Sequence, residues 1–368
     1  MQTTDLTIVG GGFSGLACAQ AAALRGVNTL VLERKAAIGD RIHTTGILVK
    51  EIADHIDVPR NLTRKVSGVR LYSPNGKWID LVSPGYYFLA TDTAGMLRWQ
   101  AERALEAGAT IRVGTPFTSA TPTPGGWVFP DLNLESRFLI GCDGAKSKVA
   151  EICGLAANRQ YLVGVESEWE GIAGIDDSKL HVFLDAQLAP GYIGWIVPGV
   201  GIHQIGLAAH ERLSPRLEPF IAKMQRLFDF SRAQSLGKRG GLIPCGGSLG
   251  KISAKRSLLL GDAAGTVSPL TAGGIHPALE LGRLAGVALA DHLLDGGPPP
   301  DELLRRHTPR YRMKSLLRQG FSRWQPPNLL YDLLLANPLF RRFAQTVFFH
   351  HRGLLSAQAW RDLTRTTP

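Results

Sequence analysis

The chain begins with apolar runs that do not alternate. DLTIVG, from Asp5 to Gly10, is nearly all apolar, the mark of a strand buried on both faces of a parallel sheet. The Ala-rich stretch LACAQAAALRG then reads as a helix that Gly26 ends. NTLVLE repeats the buried-strand pattern. Strand, helix and strand in this order form one βαβ unit, right-handed by the general rule for such crossovers. The same buried-strand signal returns in FLIGCDG and SLLLGDAAG, and TAGMLRWQAERALEAG reads as a helix.

Between these segments the periodicity changes. Residues 66–90 read as a hairpin turning at Ser73–Gly76. In YLVGVESEWE, Tyr161, Val163, Val165 and Trp169 alternate with Glu166, Glu168 and Glu170, which predicts a strand whose glutamate face is wet. Residues 180–184, 193–197 and 202–209 continue an antiparallel sheet, and RLEPFIAKMQRLF reads as an amphipathic helix. DGGPPPDE, Asp295 to Glu302, is a linker into a helical tail. No internal repeat is visible. The expected fold is α/β: a Rossmann-like domain from residues 1–65, 91–155 and 250–295, interleaved with an antiparallel β-sheet substrate domain from 66–90 and 156–249, then a helical C-terminal segment, 296–368.

Composition narrows the class. A length of 368 residues suits about two domains, and 44% hydrophobic with 20% charged residues is globular. The formal net charge is +10, and residues 301–368 hold twelve Lys or Arg against four acids, so most of the excess sits in the tail. No nucleic-acid recognition motif accompanies it. Cys18, Cys142, Cys153 and Cys245 have no metal or redox spacing, and no secretory signal precedes the first strand, so a reducing cytoplasm is expected and no metal site. No uncharged apolar run is long enough to span a bilayer.

Gly10, Gly12 and Gly15 form G-x-G-x-x-G between a strand and a helix, with Phe13 and Ser14 inside the motif. The first glycine permits a tight turn, the second a close approach of backbone to a pyrophosphate, the third close packing of helix on strand. The helix N-terminus then faces the anion with free N–H groups and a favourable dipole. Glu33, followed by Arg34, ends the second strand at the offset expected for a carboxylate on ribose hydroxyls. The ligand could be NAD or FAD. Asp143–Gly144 after one buried strand and Asp262 after another extend the pattern, although an Asp-Gly pair is also a common turn. Gly273 and Gly274 open a helix that tolerates Pro277 in its first turn.

The ordered set G-x-G-x-x-G…E, CDGAKS and GDAAG…P…GGI resembles the FAD-dependent oxidoreductases of the para-hydroxybenzoate hydroxylase fold, over about the first 295 residues. The resemblance implies FAD, with Gly10, Gly12 and Gly15 on its pyrophosphate and Glu33 on the adenosine ribose. It implies Asp143 and Gly144 near the cofactor, Asp262 on the flavin-side ribityl or pyrophosphate, and Gly273, Gly274 and Ile275 beside the isoalloxazine. Within that fold, APGYIGWIVP resembles the P-x-x-Y-x-W-x-F-P strand of geranylgeranyl reductases: Pro190, Trp195 and Pro198 match, while Ile193 and Val197 replace the tyrosine and phenylalanine. In GDRIHTTGI, His43 and Thr44 stand where that family carries Arg and Cys. Thr93 stands where many members of the fold have arginine, so Arg98, Arg41 or His43 would serve the FAD phosphates.

The implied activity is reduction of C=C bonds in a polyprenyl or other lipophilic substrate by hydride from reduced FAD, with Tyr192, Ile193, Trp195 and Pro198 at the substrate wall. In a regular strand Tyr192 would point away from Ile193 and Trp195. His276 and then His43 are the candidate acids, each with an alternative structural role. Hydroxylation of a small aromatic or polyketide-like ring by an FAD-dependent monooxygenase is the other reading. No second glycine-rich βαβ unit holds a nicotinamide, so NAD(P)H would act transiently, or a ferredoxin or quinol would donate. Cys245, flanked by Pro and Gly with no base in sight, reads as a small buried residue. In the tail, Leu339, Phe343 and Val347 with Phe340 share a helical side, with Arg341, Arg342 and Arg352 elsewhere. Such a helix either lies on the inner face of the membrane or closes the substrate chamber.

Overall fold

The computed structural model describes residues 1–53 and 56–349. Its first sheet is built on parallel strands in the order Ser257–Leu259, Leu134–Gly141, Gln2–Val9, Thr29–Leu32 and Thr110–Arg112. Leu6, Ile8, Leu30, Val31, Leu139 and Ile140 are fully or almost fully buried, as their uninterrupted apolar sequence requires. Two helices, Phe13–Ala23 and Ile275–Leu294, cross backbone to backbone. A Cβ on Gly282 would fall 2.5 Å from the Ser14 carbonyl oxygen, and one on Gly286 equally close to that of Cys18. These two glycines bring the start of the second helix alongside the glycine-rich loop.

The second sheet has seven strands in the order Gln234–Pro244, Tyr161–Glu170, His203–His210, Gly194–Pro198, Lys179–Phe183, Gly68–Tyr72 and Trp78–Val82. Only the pair Lys179–Phe183 with Gly68–Tyr72 is parallel. The last two strands form the expected hairpin, turned at Ser73–Gly76. One face of this sheet packs on the helix Leu217–Met224; Phe220 occupies the space above Gly194, where a Cβ would lie 2.5 Å from its ring. The other face is covered by a three-stranded sheet (Ile47–Val49, Phe88–Thr91, Thr63–Val66) and by C-terminal helices. There Val69, Leu71, Val182 and Val197 meet Phe88, Ala90, Leu335, Ala344 and Phe349.

One expectation from the hydrophobic pattern is reversed. The alternation in Tyr161–Glu170 is present, but the glutamate side turns inward: Glu166 is 4% exposed, beside buried Leu162 and Gly164. Both faces of this strand are covered, so alternation no longer reports contact with water, and the polar side is the one that meets the dinucleotide domain. In the helix Pro338–Phe349, Leu339 is 73% exposed and Phe343 is exposed too, while Ala344, Thr346 and Phe349 face inward. Of the apolar stripe read from the sequence, Leu339 and Phe343 are exposed while Phe340 and Val347 are half-buried. Arg352 lies outside the described residues. Among these, no helix is long and apolar enough to cross a membrane, and no cluster of His, Cys, Asp or Glu could hold a metal ion.

Candidate functional site

Gly10 ends the first strand with φ +109°, a conformation side chains avoid, and a Cβ there would sit 2.2 Å from the Cys142 carbonyl oxygen. Gly15 is equally constrained: its Cβ would meet the Gly10 carbonyl oxygen at 2.0 Å. Gly12, at the helix start, is different, since a Cβ would meet no protein atom within 4 Å. Open space therefore lies in front of the middle glycine. Phe13 and Ser14 are buried in the first turn. Glu33 is buried beside the loop and fixed by backbone: Oε2 accepts from the Gly11 N–H at 2.8 Å, Oε1 from the Lys35 N–H at 2.9 Å. Arg34 is exposed next to it. The sequence did not single out Gly11, whose amide orients the carboxylate.

The two later aspartates differ in kind. The Asp143 carboxylate accepts from Ser147 Oγ (2.6 Å) and from the N–H groups of Lys148 and Val149, so it caps the short helix Lys148–Ile152. The adjacent Gly144, at φ +85°, faces open space. Asp262 accepts no hydrogen bond on its carboxylate among the described residues, and burial alone pushes it up to about 6. It faces the start of the long helix: a Cβ on Gly274 would lie 3.5 Å from Asp262 Oδ1. Gly273 is exposed, and Ile275 packs in a cluster with Phe13, Leu16 and Ile42. Ala272, just before, holds φ +53°, a costly conformation for a residue with a Cβ.

These residues test whether a dinucleotide fits. Gly12 and Gly144 leave the space that a pyrophosphate and ribose need. Buried Glu33 offers a carboxylate to ribose hydroxyls, and Asp262 is a carboxylate without a protein donor at a helix N-terminus. The set fits a dinucleotide such as FAD.

The segment Gly39–Ile47 joins this cradle to the seven-stranded sheet. His43 Nδ1 lies 2.8 Å from the Gly240 carbonyl oxygen, which accepts its proton and leaves Nε2 as an acceptor in the neutral ring. Partial burial, with help from Lys35, Arg34 and Arg239, holds His43 below its ordinary value. Thr93, in place of the fold's arginine, pins the segment: Oγ1 donates to the Thr45 carbonyl at 3.4 Å, and Gly46 leaves room for it. Arg41 and Arg98 are exposed, Arg98 near Gly39. His276 Nε2 lies 3.2 Å from Glu280, one turn along its own helix.

On the sheet face that meets this segment, one register row runs Arg239, Glu166, Gly206, Trp195, Val182, Leu71, Ile79. The Trp195 indole lies over Gly206 and its Nε1 donates to Glu166 Oε2 at 2.7 Å. Thr45 Oγ1 donates to the same oxygen at 2.7 Å. Arg239 donates to Oε1 through Nε (2.9 Å) and Nη2 (2.6 Å), and reaches Glu168 through Nη1. Glu166 thus takes four donors, which makes its burial tolerable. From Trp195 onward the row is apolar. The strand begins only at Gly194; Gly191, at φ +76°, and a turn closed by the Tyr192 N–H on the Ala189 carbonyl precede it. Tyr192 therefore packs with Trp195 and Ile243 instead of pointing to the opposite face. Ile193 packs partly against the apolar face and Pro198 ends the strand, buried. Glu166 and Arg239 were invisible as a pair in the sequence, because only the strand register brings them together.

Residues 8–65 match the family described as NAD(P)-binding Rossmann-like domain. The chain is similar to a digeranylgeranylglycerophospholipid reductase of Methanosarcina acetivorans, with 27% identity over 84% of this chain and 80% of the relative. It is similar to digeranylgeranylglycerophospholipid reductase 2 of Methanosphaera stadtmanae, with 29% identity over 80% of each. Among solved structures, a geranylgeranyl bacteriochlorophyll reductase-like protein of Thermoplasma acidophilum shares the fold with a TM-score of 0.81 at 20% identity, over 99% of this chain and all of that one.

Proposed function

We propose, from the premise that the chain belongs to the geranylgeranyl reductase family of FAD-dependent oxidoreductases, that it saturates C=C bonds of a polyprenyl or other isoprenoid lipid. The observation that carries this reading is the row from Trp195 to Ile79. Its far part, Leu71 and Val182, is already packed against Phe88, Ala90, Leu335 and Phe349, so the surface it offers is the half-buried Trp195 with Tyr192 and Ile193 beside it, and its nearest carboxylate, Glu166, is already held by Trp195, Thr45 and Arg239. A hydrocarbon chain laid against Trp195 displaces no buried hydrogen bond.

In this reading Gly10, Gly12, Phe13, Ser14 and Gly15 hold the FAD pyrophosphate, and Glu33 the ribose. Arg34, Arg41 and Arg98 lie around the phosphates, and Gly144, Asp262, Gly273, Gly274 and Ile275 line the flavin side. Bound there, FAD supplies the hydride. The chain orients the alkene against the wall and keeps water out. His276 and then His43 are the candidate donors of the accompanying proton, and each also holds a protein partner. The electron donor acts from outside, as a transient nicotinamide, a ferredoxin or a quinol. The exposed apolar residues of the C-terminal helices, interleaved with Arg, suit peripheral attachment to an anionic membrane face where such a lipid resides.

The test is product mass. The FAD-loaded protein, reduced without air and given a geranylgeranyl lipid, is expected to yield product heavier by two hydrogens per bond. Incorporation of oxygen into an aromatic substrate, with NAD(P)H in air, would instead establish a monooxygenase.

A further inference from the structure

The helix Arg312–Arg323 is inside out. Its buried residues are Lys314 and Arg318, 6% and 2% exposed, while Met313 and Leu316 face outward. Arg318 Nη2 donates to the Gly191 carbonyl and Nε to Ser322 Oγ at 3.4 Å. Its guanidinium stands 5.9 Å from the centre of the Tyr192 ring. No carboxylate among the described residues pairs with it; the titratable groups that act on it are Tyr192, Cys245 and Tyr331. A guanidinium stripped of water and given no anion is costly, by several kcal/mol per ion in general. Burial holds Arg318 below its ordinary value.

The position is also telling. Tyr192 belongs to the same packed group as Trp195, Ile243 and Cys245, so Arg318 is one side chain from the substrate wall. Three residues back on the same helix, Ser315 borders the loop that leads to Gly273: a Cβ on Gly247 would lie 3.0 Å from Ser315 Oγ and 3.6 Å from Pro269. The helix therefore lies along both the wall and the flavin-facing loop, with Arg318 turned toward the wall.

We propose that Arg318 anchors a phosphate or diphosphate head group of the substrate, a role that rests on the isoprenoid-lipid reading above. The planar guanidinium fork has donors left over and matches two oxygens of such a group. Lys314, one turn away on the same face, adds a second positive charge. The hydrocarbon would then run from Arg318 past Tyr192 onto Trp195.

The experiment is a binding titration of the FAD-loaded chain with geranylgeranyl diphosphate, with geranylgeraniol, and with inorganic diphosphate, read from flavin and tryptophan spectra. The diphosphate ester is expected to bind at least about tenfold tighter than the alcohol, with the preference lost in Arg318→Met and kept in part in Arg318→Lys. Inorganic diphosphate is expected to compete. Equal binding of ester and alcohol by the unaltered chain overturns the proposal without any variant, as does a preference that survives Arg318→Met. Arg318-dependent binding of inorganic diphosphate alone would uphold the anion site and remove the lipid reading. Absence of all binding would remove both.

Discussion

Trp195 reaches Glu166 across a strand: its Nε1 donates to Oε2 at 2.7 Å, and the residue between them is Gly206, where a Cβ would fall 2.6 Å from the indole. The hydrogen bond exists because that position is empty. Gly206→Ala is expected to lift the indole off the sheet and to lower stability by about 1–3 kcal/mol, the usual range for overpacking a filled site. Denaturant unfolding followed by tryptophan fluorescence checks this, and an unchanged midpoint would show that the indole does not depend on Gly206.

The glycine-rich loop and Glu33 act as one device, since Glu33 fixes the loop through the Gly11 amide. Gly12→Ala places a methyl group in the open space, and Glu33→Ala removes the carboxylate proposed for the ribose and frees the loop. The double variant is expected to lose its flavin on gel filtration while remaining folded by circular dichroism. A yellow eluate with full flavin content would place the cofactor elsewhere.

Asp262 makes stability pH-dependent in the flavin-free protein. Burial raises it from an ordinary value near 3.8 to about 6. Between these values the folded state binds more protons than the unfolded state, so stability falls as pH rises through that window and stays low above it. The deficit at neutral pH is up to about 3 kcal/mol, from a shift of some two units. Asp262→Asn is expected to be the more stable protein at neutral pH, with the gap closing toward about pH 4. Parallel urea midpoints across pH measure it, and a gap independent of pH would mean that the carboxylate is not desolvated.

Met313, Leu316, Trp324, Leu329, Leu333, Leu339 and Phe343 are exposed along the C-terminal helices, among Arg312, Arg323, Arg341 and Arg342. The chain is expected to sediment with vesicles containing phosphatidylserine, less so as salt rises. Leu316→Asp with Leu339→Asp should cut the bound fraction severalfold. Equal sedimentation of the variant, or equal binding to neutral vesicles at all salt levels, would count against membrane docking.

The geometry of the glycine-rich loop was readable from sequence because local rules create it. A glycine with positive φ, a buried strand and a helix start each leave a signature within a few residues, as at Gly10, Gly12 and Gly15. The wall was only half readable. Trp195 stood out by its flanking prolines, but its partner Glu166 looked like a wet residue, because alternation reveals two faces and not what covers them. Arg239 lies far along the chain and meets Glu166 only through register. Tyr192 was misdirected by extending the strand through Gly191, whose positive φ breaks it. The helix Arg312–Arg323 was not singled out in the sequence. There the fold turns Lys314 and Arg318 inward, which no local pattern announces.

The central claim is that reduced FAD on this chain passes hydride to an isoprenoid double bond. Its most direct measurement is the flavin absorbance of the reduced, FAD-loaded protein, kept free of oxygen, after a geranylgeranyl lipid is added. The account predicts return of the oxidised flavin spectrum, with one bond saturated for each flavin reoxidised. A flavin that stays reduced in the presence of bound lipid, and reoxidises only when oxygen is admitted, would contradict it.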